Sequence, residues 1–440
     1  MAKSNHNADQ LQRTLGPFML WGLGVGYVIS GMYFGWNLGL EKGGTLGLAV
    51  ATFFIIVMYL TFTFSYTELT CAIPKAGGVF DYAVRALGRD WGFLGGMAQN
   101  IEFVFAPPAI AFAIGAYLNL FMPGFPVVAI AIVGYLVFTG LNILGVKLAA
   151  SFELFITIIA VLELLIFAGA ALPVFEFSNL EKNALPNGWA GAFAAIPFAI
   201  WFFLAIEGVA NVAEETVNPQ RNILIGFGSA ILTLVVLCIL TFAASVGIAG
   251  WEAVVYDANG NVSDSPLPLA LSHRFGQDHL LYRLVTSVGL FGLIASFHGI
   301  ILAAGRATFE FGREGFAPPL LGKVNHRFKT PANALLVNMG IGILALLTGK
   351  TGEIITVACF GALTLYIVAM ISLLVLRKKE PELERPFRVP FYPVFPVVAL
   401  VIASVAFLAM TFYYPVLAAI YFGILLVMYV WFRVMVALTS

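Results

Sequence analysis

Apolar runs of about 20 residues alternate with short polar stretches along almost the whole chain, the length of a helix that crosses a bilayer. The pattern predicts about twelve spans, at 17–40, 45–71, 90–119, 125–146, 150–174, 189–215, 222–250, 281–309, 331–348, 352–376, 391–413 and 415–436. The stretch before the first run is polar, and no small-residue cleavage site follows that run, so it reads as a span and not as a cleavable leader. The longest polar connection, about 251–280, carries Asp257-Ala258-Asn259-Gly260-Asn261. Oxygen ligands on alternate residues there have the look of a calcium loop, but an Asn-Gly turn in a small hairpin is the preferred reading.

Composition sharpens this picture. Of 440 residues, 60% are hydrophobic and 10% charged, where soluble domains average about 25% charged. The formal net charge is zero, which leaves no basic surface for nucleic acid. Cys71, Cys238 and Cys359 lie in or beside apolar runs, without the spacing of a disulfide framework or a zinc site, so no metal or cofactor is expected. The basic residues test the topology. Only Lys42, Lys182, Arg274, Arg283 and Lys350 fall on one side, and the remaining 18 of the 23 fall on the other. Positive charge concentrates in the cytoplasm, so both chain ends are expected there.

Two spans should be interrupted. In the first, Gly22, Gly24, Gly26, Ser30, Gly31 and Gly35 crowd the middle of an apolar run; close packing through small residues is the alternative explanation. The sixth holds Pro197, Glu207-Gly208 and Glu214-Glu215 before Asn218-Pro219. Spans one and six occupy equivalent places in two five-helix halves, and paired interruptions of this kind mark the binding site of secondary transporters. Three glutamates, Glu102, Glu163 and Glu207, lie deep within spans three, five and six. Two readings stand for each: a functional carboxylate, or a protonated group hydrogen-bonded to a neighbouring helix. Glu207 has the stronger functional claim because it sits at the expected break. Glu68, Glu153, Glu214, Glu215 and Glu310 lie near span ends, where pairing with basic loop residues is expected. His298, in mid-span eight, reads either as a proton relay or as a satisfied packing histidine. The spans lack a paired-His metal motif and a nucleophile–base arrangement, which argues against an enzyme; a channel or a membrane sensor is the alternative from a different class.

Four ordered segments carry a family resemblance. They are Glu68-Leu69-Thr70-Cys71-Ala72-Ile73-Pro74-Lys75-Ala76-Gly77-Gly78-Val79-Phe80-Asp81-Tyr82, then Ala213-Glu214-Glu215-Thr216-Val217-Asn218-Pro219-Gln220-Arg221, then Arg306 through Arg313-Glu314-Gly315 and Pro318 to Thr330-Pro331, and Arg377-Lys378-Lys379-Glu380-Pro381-Glu382-Leu383 with Arg385-Pro386-Phe387-Arg388-Val389-Pro390. In these the chain resembles the amino acid–polyamine–organocation (APC) superfamily of transporters. The resemblance implies an all-α membrane fold of five plus five inverted helices and two more. Its parts would be a tail at 1–16, repeats at 17–174 and 189–376, a cytoplasmic loop at 377–390 and the last two helices in 391–440.

Within that superfamily, Gly26 to Asn37 and Ile101 to Pro108 most resemble bacterial ethanolamine permeases, which implies uptake of ethanolamine across an inner membrane. A small amino acid or polyamine permease is the runner-up. Amino acid carriers of the family show a G-[ST]-G core that receives a carboxylate on bare N–H groups; the aligned triplet here is Ser30-Gly31-Met32, and Met32 crowds such a pocket. The resemblance then implies that Glu207 and Glu102 receive the ammonium, that Trp201 stacks over it, and that Ser30 and the unwound backbone meet the hydroxyl. Tyr27, Gly31, Met32, Ala205 and His298 complete the expected substrate site. Many proton-coupled relatives carry a Lys in span five; Ala160 stands there, one turn from Glu163, so Glu163 and Glu207 are the expected coupling residues, with a proton as co-substrate. Oligomeric state is not readable, since lipid-facing and subunit-facing apolar residues look alike.

Overall fold

The computed structural model describes residues 13–144, 149–325 and 327–439. Lys3, Lys147 and most of the expected 1–16 tail lie outside the described residues. Hydrocarbon offers no partner to a main-chain N–H or C=O, so a span satisfies them internally as a helix. Among the described residues the elements are accordingly helical, with two isolated β-bridges.

The first span is split into α1 (Pro17–Val28), the single turn α2 (Ser30–Tyr33) and the start of α3 (Asn37–Ala72). Helix α3 folds back at Gly44, whose φ of +63° suits glycine, and continues as the second span. A short amphipathic helix, α4 (Val79–Leu87), leads into α5 (Arg89–Asn119), α6 (Val127–Leu144) and α7 (Ala149–Ala171). After α8 (Phe177–Glu181), the sixth span is also split, into α9 (Gly188–Ala194), α10 (Ile196–Trp201) and a 3-10 stretch, Ile206–Glu215. Helix α11 (Pro219–Ala249) follows, then α12 (Glu252–Val255) and α13 (Pro266–Phe275) in the long polar connection. The chain finishes with α14 (Leu280–Arg313), α15 (Ala332–Leu346), α16 (Thr351–Lys379), α17 (Val394–Tyr413) and α18 (Pro415–Thr439). Each expected span finds its helix or broken helix. Ten are long and apolar enough to cross a membrane by themselves, and the first and ninth are shorter.

Burial sorts these helices. The apolar window of the sixth span is 100% buried and that of α6 only 22%, so the former is core and the latter faces lipid. Helices α5, α14 and α16 line the core with the two broken spans, while α17 and α18 lie outside. In the long connection, Tyr256 and Val262 pair antiparallel around the Asn-Gly turn. The Asp257 carboxylate accepts from the N–H groups of Asn259 and Asn261, each at 2.8 Å. These bonds hold Asp257 below the usual carboxylate range, and its oxygens serve the turn.

The face carrying the two described chain ends is tied together by charge. Glu68, fully buried, accepts from Arg377 Nε and Nη2 at 2.7 Å and from Val389 N at 2.7 Å, with Arg385 Nε at 3.3 Å. Glu215 pairs with Arg306 at 2.9 Å, and its carbonyl accepts from Thr14 N and Leu15 N. Glu310 pairs with Arg313 at 2.6 Å. Glu153 departs from the expected pattern: it is buried, and its partner is His298 on α14 and not a loop base. Helix α7 presses this turn against α1 and α14, away from the loops. Because Glu68→Ala leaves two arginines without their buried acceptor, it is expected to destabilise the protein by about 3–5 kcal/mol, read as a lower midpoint of thermal unfolding in detergent.

Candidate substrate site at two helix breaks

Breaking a helix inside a buried core frees main-chain groups that must find partners. At the first break, Ser296 of α14 inserts its hydroxyl into the ladder. It donates to Gly26 O at 2.7 Å and accepts from Ser30 N at 2.9 Å, replacing the direct bond between those two groups. The expected opening at Ser30-Gly31-Met32 is instead one helical turn between two interruptions. The second interruption lies at Phe34, whose backbone is extended, and Gly35, at φ +86°. Aromatic donors cap the carbonyls freed there: Trp36 Nε1 to Met32 O at 3.1 Å, Tyr117 Oη to Tyr33 O at 3.1 Å and Trp201 Nε1 to Phe34 O at 3.0 Å.

The second break follows Trp201. Ala205 adopts φ +75°, a left-handed conformation that costs energy for a residue with a Cβ. Its N–H donates to Glu102 Oε1 of α5 at 3.2 Å, which holds the distorted peptide. Two residues on, Glu207 Oε2 accepts from Tyr366 of α16 at 3.1 Å, and Tyr366 is joined to Tyr59 of α3 at 2.9 Å. The remaining oxygens, Glu102 Oε2 and Glu207 Oε1, are buried without a hydrogen-bond partner, and the two carboxyls are close enough to feel each other's charge. The structure thus brings Glu102, Glu207 and Ala205 together.

The two breaks are in contact. A Cβ on Gly31 would fall 2.4 Å from Trp201 O, and one on Gly35 would fall 2.4 Å from Trp201 Nε1. Trp201 is therefore wedged between the breaks, edge-on to Phe34, with its N–H already engaged. Gly22 and Gly24 serve packing instead, against Leu154 and Ala230. The buried Met32 reaches the rest of the break through its carbonyl on Trp36, and Tyr27 fills the space between Gly208 and Gly299. Glu163 accepts from the Tyr33 hydroxyl, which also bonds Ala160 O at 3.0 Å, so it faces the first break. His298 stands apart from the carboxyl pair, joined to Glu153 at 3.2 Å.

Access is asymmetric. On the face opposite the chain ends, a vestibule of about 690 Å³ descends past Glu41, Lys42 and Asp264 to Phe198 and Thr356. Asp264 accepts from Thr351 Oγ1 at 3.2 Å, and burial pushes its carboxyl up to about 6. Beneath the chain-end face, a void beside Gln99 and Asn100 measures only about 10 Å³. Gln99 Nε2 donates to Asn211 Oδ1 at 3.1 Å, whose Nδ2 donates to Ala76 O at 2.8 Å, and these bonds help close that side.

Reading from sequence located the glutamates and the glycines. It missed Ser296, Tyr366, Tyr59, Tyr117 and Tyr33, each a hydroxyl in a largely apolar span with a partner far away in the chain.

An all-helical membrane bundle with two touching helix breaks over buried carboxyls is a transporter architecture. The chain belongs to the amino acid permease family, whose profile matches residues 15–437; it is a multi-pass membrane permease. It is 29% identical to an uncharacterised transporter of Rhizobium meliloti, over 91% of this chain and 87% of that one. It is 28% identical to a methylthioribose transporter of Bacillus subtilis (89% and 87% covered) and 25% identical to a branched-chain amino acid permease of the same organism (89% and 86%).

Ser296→Ala removes the bridge at the first break and strands Ser30 N–H and Gly26 C=O. A cost of about 1–3 kcal/mol for each stranded group is expected, read as a lower unfolding midpoint together with slower transport in proteoliposomes. Gly31→Ala should abolish transport, since its Cβ forces the two breaks apart.

Proposed function

We propose that this permease carries a small primary amine without a carboxylate, with ethanolamine the leading candidate, across a bacterial inner membrane with both chain ends in the cytoplasm. The observation that supports the cargo is the Glu102–Glu207 pair. Two acidic groups share one buried site there, and no Lys or Arg among the described residues forms an ion pair with either. An ammonium supplies the missing positive charge and offers three donors to oxygens that otherwise lack a partner. A substrate carboxylate finds less support. Ser30 N–H is taken by Ser296, and Met32 N–H by Ile29 O. The 18-to-5 split of basic residues supports the orientation.

Amino acid cargo is the second reading, favoured by relatives named as branched-chain and gamma-aminobutyric acid permeases. Calorimetry on the detergent-purified protein separates the two, with ethanolamine set against alanine, serine and putrescine. Ethanolamine is expected to bind at least about tenfold more tightly than alanine, a difference of about 1.4 kcal/mol; tighter binding of alanine would overturn the ethanolamine reading. Glu207→Gln should weaken ethanolamine by about 2–5 kcal/mol while Tyr366 keeps an acceptor at that position.

A further inference from the structure

The carboxyl pair is not the only buried acid site. Glu153 of α7 and His298 of α14 meet at 3.2 Å with almost no exposure. Glu153 Oε1 has no partner and points at the first helix: a Cβ on Gly26 would fall 2.5 Å from it, and one on Gly299 would fall 3.0 Å from it. The His298 ring is held edge-on by Phe138 and Phe152, and its carbonyl accepts from Asn142 Nδ2 at 3.4 Å. Thr157 Oγ1 lies beside the same glycine.

We propose that the Glu153–His298 pair is the proton site that couples transport, separate from the carboxyl pair that receives the amine. With one proton shared between Nδ1 and Oε2 the pair is neutral and suits its dry surroundings. Releasing that proton to water leaves a net negative charge, which costs several kcal/mol unless the cleft between α1, α7 and α14 opens and hydrates. Protonation from water on one face and release to water on the other therefore bias that cleft between closed and open.

The link to the substrate site is one glycine long. Gly26 O accepts from Ser296, which also holds Ser30 N–H in the first break, while the Cα of Gly26 abuts Glu153. Ser296 and His298 share one turn of α14, so moving either shifts both contacts. Among the described residues, the other titratable groups on this side are Tyr27 on α1 and, beyond it, the Arg306–Glu215 ion pair at 2.9 Å. Helix α6 presents Phe138 and Asn142. Glu163, further along α7, is engaged by Tyr33.

The inference rests on the chain being a permease and not on its cargo. In proteoliposomes, uptake of radiolabelled ethanolamine is read with and without an inward proton gradient, and homoexchange is read in the same vesicles. The wild type is expected to accelerate several-fold with the gradient. Glu153→Gln should keep homoexchange and lose the acceleration, and His298→Gln provides the same reading if the first variant misfolds. Wild-type uptake that ignores the gradient overturns the proposal. So does a gradient response that survives in Glu153→Gln or disappears only in Glu163→Gln. If the wild-type vesicles carry alanine and not ethanolamine, the cargo reading falls, and alanine then reads out the proton site in the same vesicles.

Discussion

Two helices are interrupted inside a medium that cannot hydrate them, and the rest of the core is arranged around answering the polar groups so exposed. Ser296 splices one missing bond, three aromatic side chains cap three carbonyls, and Glu102 holds the strained peptide of Ala205. Apart from Trp36, which lies just before α3, the partners come from α5, α10 and α14, so the same bonds that satisfy the breaks also join the inner helices. The breaks touch each other through Gly31, Gly35 and Trp201. Neither can reorganise without displacing the other.

The spans were legible because bilayer thickness dictates their length, whatever their order or packing. The breaks were legible because only a few residue types tolerate them, and Gly31, Gly35 and Pro197 stand out against an apolar background. The position of the first opening was not. Ser30 to Tyr33 keep one helical turn because Ser296, 266 residues away, replaces the missing bond. Glu153 illustrates the same limit. Its distance along the chain from a span end suggested a loop partner, but its depth is set by how α7 packs on α1 and α14. Glu102 and Glu207 could each be suspected from their place in the hydrocarbon, yet their coming together depends on the meeting of α5 with a non-helical stretch.

Chemistry is divided by depth along the first broken span. Glu163 and Tyr33 meet at its far interruption, the carboxyl pair lies against the partner break, and the Glu153–His298 pair flanks Gly26 on the near half. The chain-end face is sealed by ion pairs and by the Gln99–Asn211–Ala76 bonds, whereas the opposite face is indented by the vestibule. The conformation is thus closed beneath and partly open above, with Trp201 one turn along α10 from Phe198 of the vestibule wall.

The mouth of that vestibule has a kinetic consequence. Its charged side chains are largely matched in place, Lys42 with Glu41 at 3.1 Å and Lys350 with Glu353 at 2.8 Å. Such a rim projects little net field into solution, so a charged solute is neither funnelled in nor turned away before contact. Entry then follows collision frequency and barely depends on ionic strength, and discrimination falls to the dry interior, where one misplaced charge counts for far more than it does at the rim.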